Sequence, residues 1–311
     1  MKQTLEALVN PFGDLKSESP DNVNKINFEK DELVDKLVKN YIQAGQLFGR
    51  STIFLEKRQR ENALSSKGLV EILTPSQINL LLQKLKALSP KKIADSDTGA
   101  FFSTLIEYSF RNNYNDFTLH FGEFEITNFG NTLSGLYDTH VKVNIYGSAG
   151  NYFAKWASYC DFIVHGNVGF ACGERSSDCK YEIDGSAGTS FGIQATRCVF
   201  NLRGDADAVA GQEAEKSEFY IGGKCGHVLG EGSKKSKFHV KGDVGSDYSF
   251  NSQRSEYVFE GNVGEIRTHL GGNSMSPSKC AGTNCIFKTT NKQTYEKMKA
   301  QLPAGNQVIL L

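Results

Sequence analysis

CDFIVHGNVGFACGERSSDCKYEIDGSAGTSFGIQATRCVFNLRG, residues 160–204, states a nineteen-residue phrase twice and begins it a third time. Gly166, Gly185 and Gly204 mark the period, and Gly147, Gly223, Gly242 and Gly261 continue it without a slip. A strict period near 20 residues is the mark of a solenoid, in which one repeat is one coil that cannot bury its apolar face alone.

Aligning the coils on that glycine, taken as position 0, exposes columns. At −2 stand Ile145, Val164, Ile183, Leu202, Ile221, Val240 and Phe259. At −4 stand Val143, Phe162, Tyr181, Phe200, Phe219, Phe238 and Tyr257, and at −6 Val141, Cys160, Cys179, Cys198, Ser217, Ser236 and Ser255. This alternation of period two predicts one strand per coil, with the three columns facing inward. Equivalent positions on successive coils then lie about 4.8 Å apart. The −4 column becomes an internal stack of rings, each contributing about 1.5–3 kcal/mol by burial. The rest of each coil is small: Ala or Val at +2, mostly Gly at +3 and +7, Ala or Ser at +10. Glycines in such a coil serve corners and close backbone approach. No helix follows any of them, so none forms a phosphate-cradling loop.

GNVGFACG (166–173), GSAGTSFG (185–192) and GKCGHVLG (223–230) share the spacing G-x-x-G-x-x-x-G. Over residues 124–264 the repeat resembles the GXGXG-type right-handed β-helix domain of glutamate synthase large subunits. The C subunit of formylmethanofuran dehydrogenase is similar. The resemblance implies a structural wall without catalysis, the active centres lying in other domains or subunits. Ala/Ser and Cys/Ser columns replace the second glycine-rich turn of those families, and Asp207 and Ser249 interrupt the motif.

The chain of 311 residues has a formal net charge of zero, which speaks against non-specific nucleic-acid binding. No apolar run is long enough for a membrane span, and the start shows no secretory pattern. Seven cysteines, all from Cys160 onward, read as reduced thiols of a cytoplasmic protein.

Residues 1–25 read as a polar tail and 26–116 as a helical N-terminal domain. Apolar pairs at helical spacing predict a helix over 29–48. Thr74-Pro75-Ser76-Gln77 is a capping box opening a helix to Leu88, and Thr98–Arg111 is a third. Phe117–His120 reads as a strand, after which Phe124, Ile126, Asn128 and Gly135 fit the repeat with Asn128 in the place of the glycine. The solenoid spans 117–289 with a loop insertion at 265–284. Residues 290–311 form a C-terminal cap, a helix over 290–302 and a strand at 308–311. The expected fold is thus mainly β, a right-handed parallel β-helix of about eight nineteen-residue coils between a helical N-terminal domain and a helix/strand cap. Open solenoid ends invite edge-to-edge association, so both terminal regions read as caps.

Few residues invite a chemical role. Gly45–Ser51 has one residue too few for a phosphate loop, and a helix precedes it. Cys160, Cys179 and Cys198 share an inward column and read as packing. His269, Cys280 and Cys285 are weak metal-ligand candidates in the 265–284 insertion, their spacing matching no standard finger. His120, His140, His165, His227 and His239 read as surface residues without a partnered acid. Outward strand positions alternate in charge, as at Asp161/Lys180, Asp184/Arg203 and Glu218/Lys237/Glu256. No catalytic or cofactor-binding residue and no cofactor is indicated. The expectation is a scaffold or protein-interaction module, an accessory subunit of a larger enzyme, meeting a protein partner or a second copy through the helical domain. The alternative is an enzyme or metal-binding protein with its site at the 265–284 loop or the helix–solenoid junction.

Overall fold

A computed structural model describes residues 30–44, 57–88, 96–266 and 282–311, with the backbone of 269–270 and 273–274. Among the described residues four helices precede the sheet: α1 (Glu32–Gln43), α2 (Lys57–Ser65), α3 (Pro75–Leu88) and α4 (Ser96–Phe110). The strands are β1 (Asp116–Ile126), β2 (Val141–Ala149), β3 (Cys160–His165), β4 (Lys180–Ile183), β5 (Val199–Leu202), β6 (Glu218–Ile221), β7 (Lys237–Val240) and β8 (Glu256–Phe259). A short antiparallel pair, β9 (His269–Leu270) and β10 (Asn273–Ser274), precedes β11 (Ile286–Thr289), α5 (Lys292–Gln301) and β12 (Gln307–Leu310).

Ten strands form one parallel sheet in the order β1 to β8, β11, β12, a solenoid of about nine turns rather than eight. From β2 to β8 partners are nineteen residues apart, as in Phe200↔Phe219. Two further parallel ladders of single bridges run at +2 (Ala149 to Val263) and at +11 (Ser158 to Thr283).

The inward columns are as the periodicity requires. Phe162, Tyr181, Phe200, Phe219, Phe238, Tyr257 and Phe287 stack along the axis, with neighbouring centroids 4.5–5.3 Å apart. The −6 side chains are small donors: Cys179 Sγ donates to the Ser177 carbonyl at 3.2 Å, and Ser217 Oγ to that of Glu215 at 3.1 Å. Cysteine and serine both occupy this column because both fit and both reach the carbonyl two residues back.

The segments between strands are bonded as fully as the strands. The non-glycine residues Val209, Glu213 and Lys216 have φ of 65°, 54° and 53°. This handedness turns successive N–H groups up and down the axis. Val209 and Lys216 donate to His227 and Lys234 of the next coil, both at 2.9 Å, while Gly211 donates to Phe191 of the preceding coil at 2.8 Å. The left-handed region costs a non-glycine residue about 1 kcal/mol, and the satisfied backbone offsets that cost.

Glycine has two distinct reasons in this frame. At position 0 it is proximity: a Cβ on Gly204 would lie 2.6 Å from the Gly185 carbonyl oxygen. At +7 it is conformation as well, since Gly173 has φ +68° and faces the Phe200 ring. A ladder absent from the glycine reading runs at +1: Ser186 N–H donates to Asn167 Oδ1 at 2.8 Å, and Lys224 N–H to Asp205 Oδ1 at 2.7 Å.

The first turn departs from the expected alignment. Gly122, not Asn128, pairs with Gly147, and Ile126 pairs with Ala149 at +2. A bulge after His120 in the long strand β1 shifts the register. Asn128 instead occupies a buried turn with φ 61°.

The helices close this end. The Thr74 capping box forms as read: Thr74 N–H donates to Gln77 Oε1 at 3.0 Å, and Gln77 N–H to Thr74 Oγ1 at 3.2 Å. α3 then lies along the outer edge of β1. Its Asn79 accepts from His120 N–H at 3.1 Å, while Gln83 and Lys86 donate to the His120 carbonyl at 2.8 and 2.9 Å. α4, buried along most of its length, covers the open core: Gly99 touches the Thr127–Phe129 backbone, and Ser103 Oγ accepts from Gly130 N–H at 2.8 Å. α2, read from sequence as no helix, sends Arg60, 2% exposed, to the Asn131 carbonyl and Thr132 Oγ1. At the other end Thr294 and Lys297 of α5 donate to the carbonyls of Gly261 and Val263 at 2.8 and 2.9 Å. The 1–25 tail and the Gly45–Ser51 segment lie outside the described residues.

Candidate functional site

The first turn carries seven residues more than a regular coil, since Phe117 pairs with Val143, twenty-six positions on. Most of the surplus forms one projection. Gly135 N–H donates to the Ser158 carbonyl at 2.9 Å, and the chain then leaves the coil surface at Leu136. A tight turn returns it, with Leu136 and Thr139 exchanging N–H···O bonds at 2.9 and 3.1 Å. Leu136 is 59% and Tyr137 86% exposed.

Beneath the turn lies an open recess of about 370 Å³. Tyr137 and Tyr159 form its aromatic side, edge to face with centroids 6.3 Å apart, and His140 meets Tyr159 at 6.0 Å. His140 Nδ1 lies 2.9 Å from Asp161 Oδ1. Across the recess Arg197 grips Asp178 with two parallel bonds, Nε to Oδ1 at 2.7 Å and Nη2 to Oδ2 at 2.6 Å. That bond to Asp178 raises the guanidinium pKa and fixes the fork. Cys179 also lines the recess, but burial pushes its thiol well above the ordinary range. It is no thiolate nucleophile. Aromatic edges beside fixed ion pairs are features that suit recognition of a complementary surface.

Three of the five histidines have acid partners, against the sequence reading. His140, His165 and His239 meet Asp161, Asp184 and Glu260 at 2.9, 2.8 and 2.7 Å. Their acids stand nineteen or twenty-one residues on, directly or diagonally across to the next coil. The ion pairs Lys237–Glu218 and Arg203–Asp184 form as read, at 2.7 and 3.0 Å, whereas Lys180 turns to Glu182.

Of the sequence candidates, Cys285 points inward: it is buried, and its Sγ donates to the Thr283 carbonyl at 3.5 Å. His269 begins β9, and its side chain and all of Cys280 lie outside the described residues. Among the described residues there is no group of three or more His, Cys, Asp or Glu side chains that could hold a metal. The helix–solenoid junction is a packed polar interface. Burial pulls the Arg60 guanidinium down to about 10, and Lys57 pairs with the buried Glu107. Among the described residues no helix is long and apolar enough to cross a membrane.

The recess was missed from sequence because the projecting turn has no motif. Its one signal was spacing, twenty-six residues where nineteen were due. No protein family, curated protein or solved structure matches the chain. The likeness to the β-helix of glutamate synthase and formylmethanofuran dehydrogenase therefore rests on the repeat alone.

Proposed function

We propose that the chain is a non-catalytic scaffold, a protein-interaction module that docks a partner on the Leu136–Thr139 turn and the recess beneath it. One observation carries this reading: a tyrosine and a leucine project from a surface whose other large apolar side chains on the neighbouring coils are almost all inward. Exposed aromatics beside a recess are the anchors that dominate protein interfaces. The ladder-bonded frame holds them without further ordering on binding, which lowers the entropic cost of association. The likeness to wall domains of large enzymes extends the reading to an accessory subunit in the cytoplasm. The helical layer is a second docking surface, since it leaves Ile72 and Leu88 exposed.

The test is affinity capture from the native cell with wild-type protein and a Leu136→Ser/Tyr137→Ala variant of unchanged circular dichroism. A stoichiometric partner held by the wild type and lost by the variant supports the docking point. Equal capture by both moves the interface to the helical layer, and recovery of the protein alone overturns the scaffold reading.

A further inference from the structure

In a parallel stack, side chains nineteen residues apart fall on one another at about 4.8 Å. Like charges in one column therefore repel, and the strand columns avoid this. At −5 the order is Asp161, Lys180, Val199, Glu218, Lys237, Glu256, with Lys237 bonded to Glu218 at 2.7 Å. The corner column at +12 breaks the rule. It reads Arg197, Lys216, Lys235, Arg254 on four consecutive coils, and all four are exposed. Each has φ of 53–54°. Each donates its N–H to the next coil, to Glu215, Lys234, Gln253 and Thr283, at 2.9–3.1 Å. The backbone under the row is thus fixed in register.

Lys234 and Lys237 flank this row. Arg197 and Lys216 have acid partners in Asp178 and Glu215. Lys234, Lys235 and Arg254 make no ion pair among the described residues, although the chain as a whole is neutral. A fixed file of like charges, uncompensated at one end, is what a complementary anion would stabilise. The file also begins at Arg197, which lines the recess under Tyr137.

We infer that this corner binds an extended acidic peptide segment of the partner, running along the solenoid axis away from the recess. The inference rests on the protein-interaction reading above. Four cations over three coil spacings span about 14 Å, and three carboxylates on one face of an extended chain span about the same. Between residues 204 and 266 no large aromatic side chain is exposed, so the row offers bases nothing to stack on. Two of the row's four cations and both flanking ones are lysines, point charges on flexible stems rather than planar forks suited to phosphate.

The experiment is fluorescence anisotropy with a labelled octaglutamate peptide and the full chain. Saturable 1:1 binding is expected, weaker in 0.2 M than in 0.05 M salt by screening (about 8 Å Debye length near the upper value). Binding should fall about tenfold in a Lys234→Glu/Lys235→Glu/Arg254→Glu variant, the scale of a few exposed ion pairs. A Gln triple variant should fall between, and all three proteins should share one circular dichroism spectrum. Tyr137→Ala should bind octaglutamate like the wild type. Absence of salt-dependent binding, equal affinity of the Glu triple variant, or tighter binding of an eight-nucleotide oligothymidylate would overturn the inference. Octaglutamate failing while Tyr137→Ala still loses a captured partner would sink the cationic row alone. Octaglutamate binding with no partner captured would leave the row and remove the recess.

Discussion

Gly173 faces the ring of Phe200: a methyl group on its Cα would meet the ring Cε1 at 2.7 Å, and its φ is +68°. Alanine there would combine a left-handed backbone, about 1 kcal/mol, with overpacking, about 1–3 kcal/mol. Gly173→Ala should therefore lose about 2–4 kcal/mol in urea denaturation. Gly232 is the control, since φ is +64° but the nearest group is the flexible Glu213 side chain. Gly232→Ala should lose about 1 kcal/mol. Equal losses would mean that the ring contact has no weight.

The same ring tests the inward column. Phe200→Ala should cost about 3–5 kcal/mol, as expected for a fully buried aromatic. Arg203→Ala, which breaks a half-exposed pair with Asp184, should cost under about 1 kcal/mol. Combining Phe200→Ala with Gly173→Ala should cost less than the sum, because removal of the ring makes room for the methyl group. Strict additivity would separate the two residues.

The edge of β1 is closed by side chains, so its exposure can be engineered. Asn79→Ala removes the acceptor of the His120 N–H and should cost about 1–3 kcal/mol. Hydrogen exchange at the His120 amide should accelerate while that at Phe219 does not. A uniform rise in exchange along the stack would instead indicate global loosening.

His120 makes the cap pH-sensitive. Burial, and secondly the nearby Lys86, hold its imidazole below the ordinary value of about 6.5. Its Nδ1 is buried without a partner and its ring stacks on Tyr146 at 5.0 Å. The native state thus takes up a proton less readily than the unfolded state. The stability tied to His120 is complete above about pH 6.5 and is lost as pH falls through the lower native value. Urea midpoints at pH 7.5 and 5.5 should differ more for the wild type than for His120→Gln. Parallel losses would acquit this histidine.

Burial pushes the thiols of Cys172, Cys179 and Cys198 up. These three thiols should react with a disulfide reagent far more slowly in the native than in the denatured protein. Cys198→Ser should shift stability by about 1 kcal/mol or less, because Ser217 makes the same carbonyl bond one coil along. A fast native thiol among these three would reopen a redox role.

Strand positions, inward columns and the terminal caps were legible because each rests on periodicity or on a local signal, as at Thr74–Gln77. The first turn was misaligned because a bulge after His120 and the projection at Leu136 obey no period. The acid partners of His140 and His165 were hidden for a related reason: proximity here means nineteen residues apart, plus or minus a diagonal step, so a local scan passes over it. Helix α2, with mostly polar residues, declares itself only through Arg60, which reaches a turn seventy residues away. The +12 corner lay between the strand columns and the glycines, and its side chains carry no apolar signal.

The solenoid also acts as a ruler. Every ladder advances by one coil at once, so the separation between the α3–α4 cap and the α5 cap changes only in steps of about 4.8 Å. Removing one full coil, such as 198–216, would shorten that distance by one step and leave both ends chemically unchanged. Removing any other number of residues would set the aromatic stack, the corner cations and the backbone bonds out of phase together. Whatever binds both ends of this protein therefore reads a length counted in units of nineteen residues.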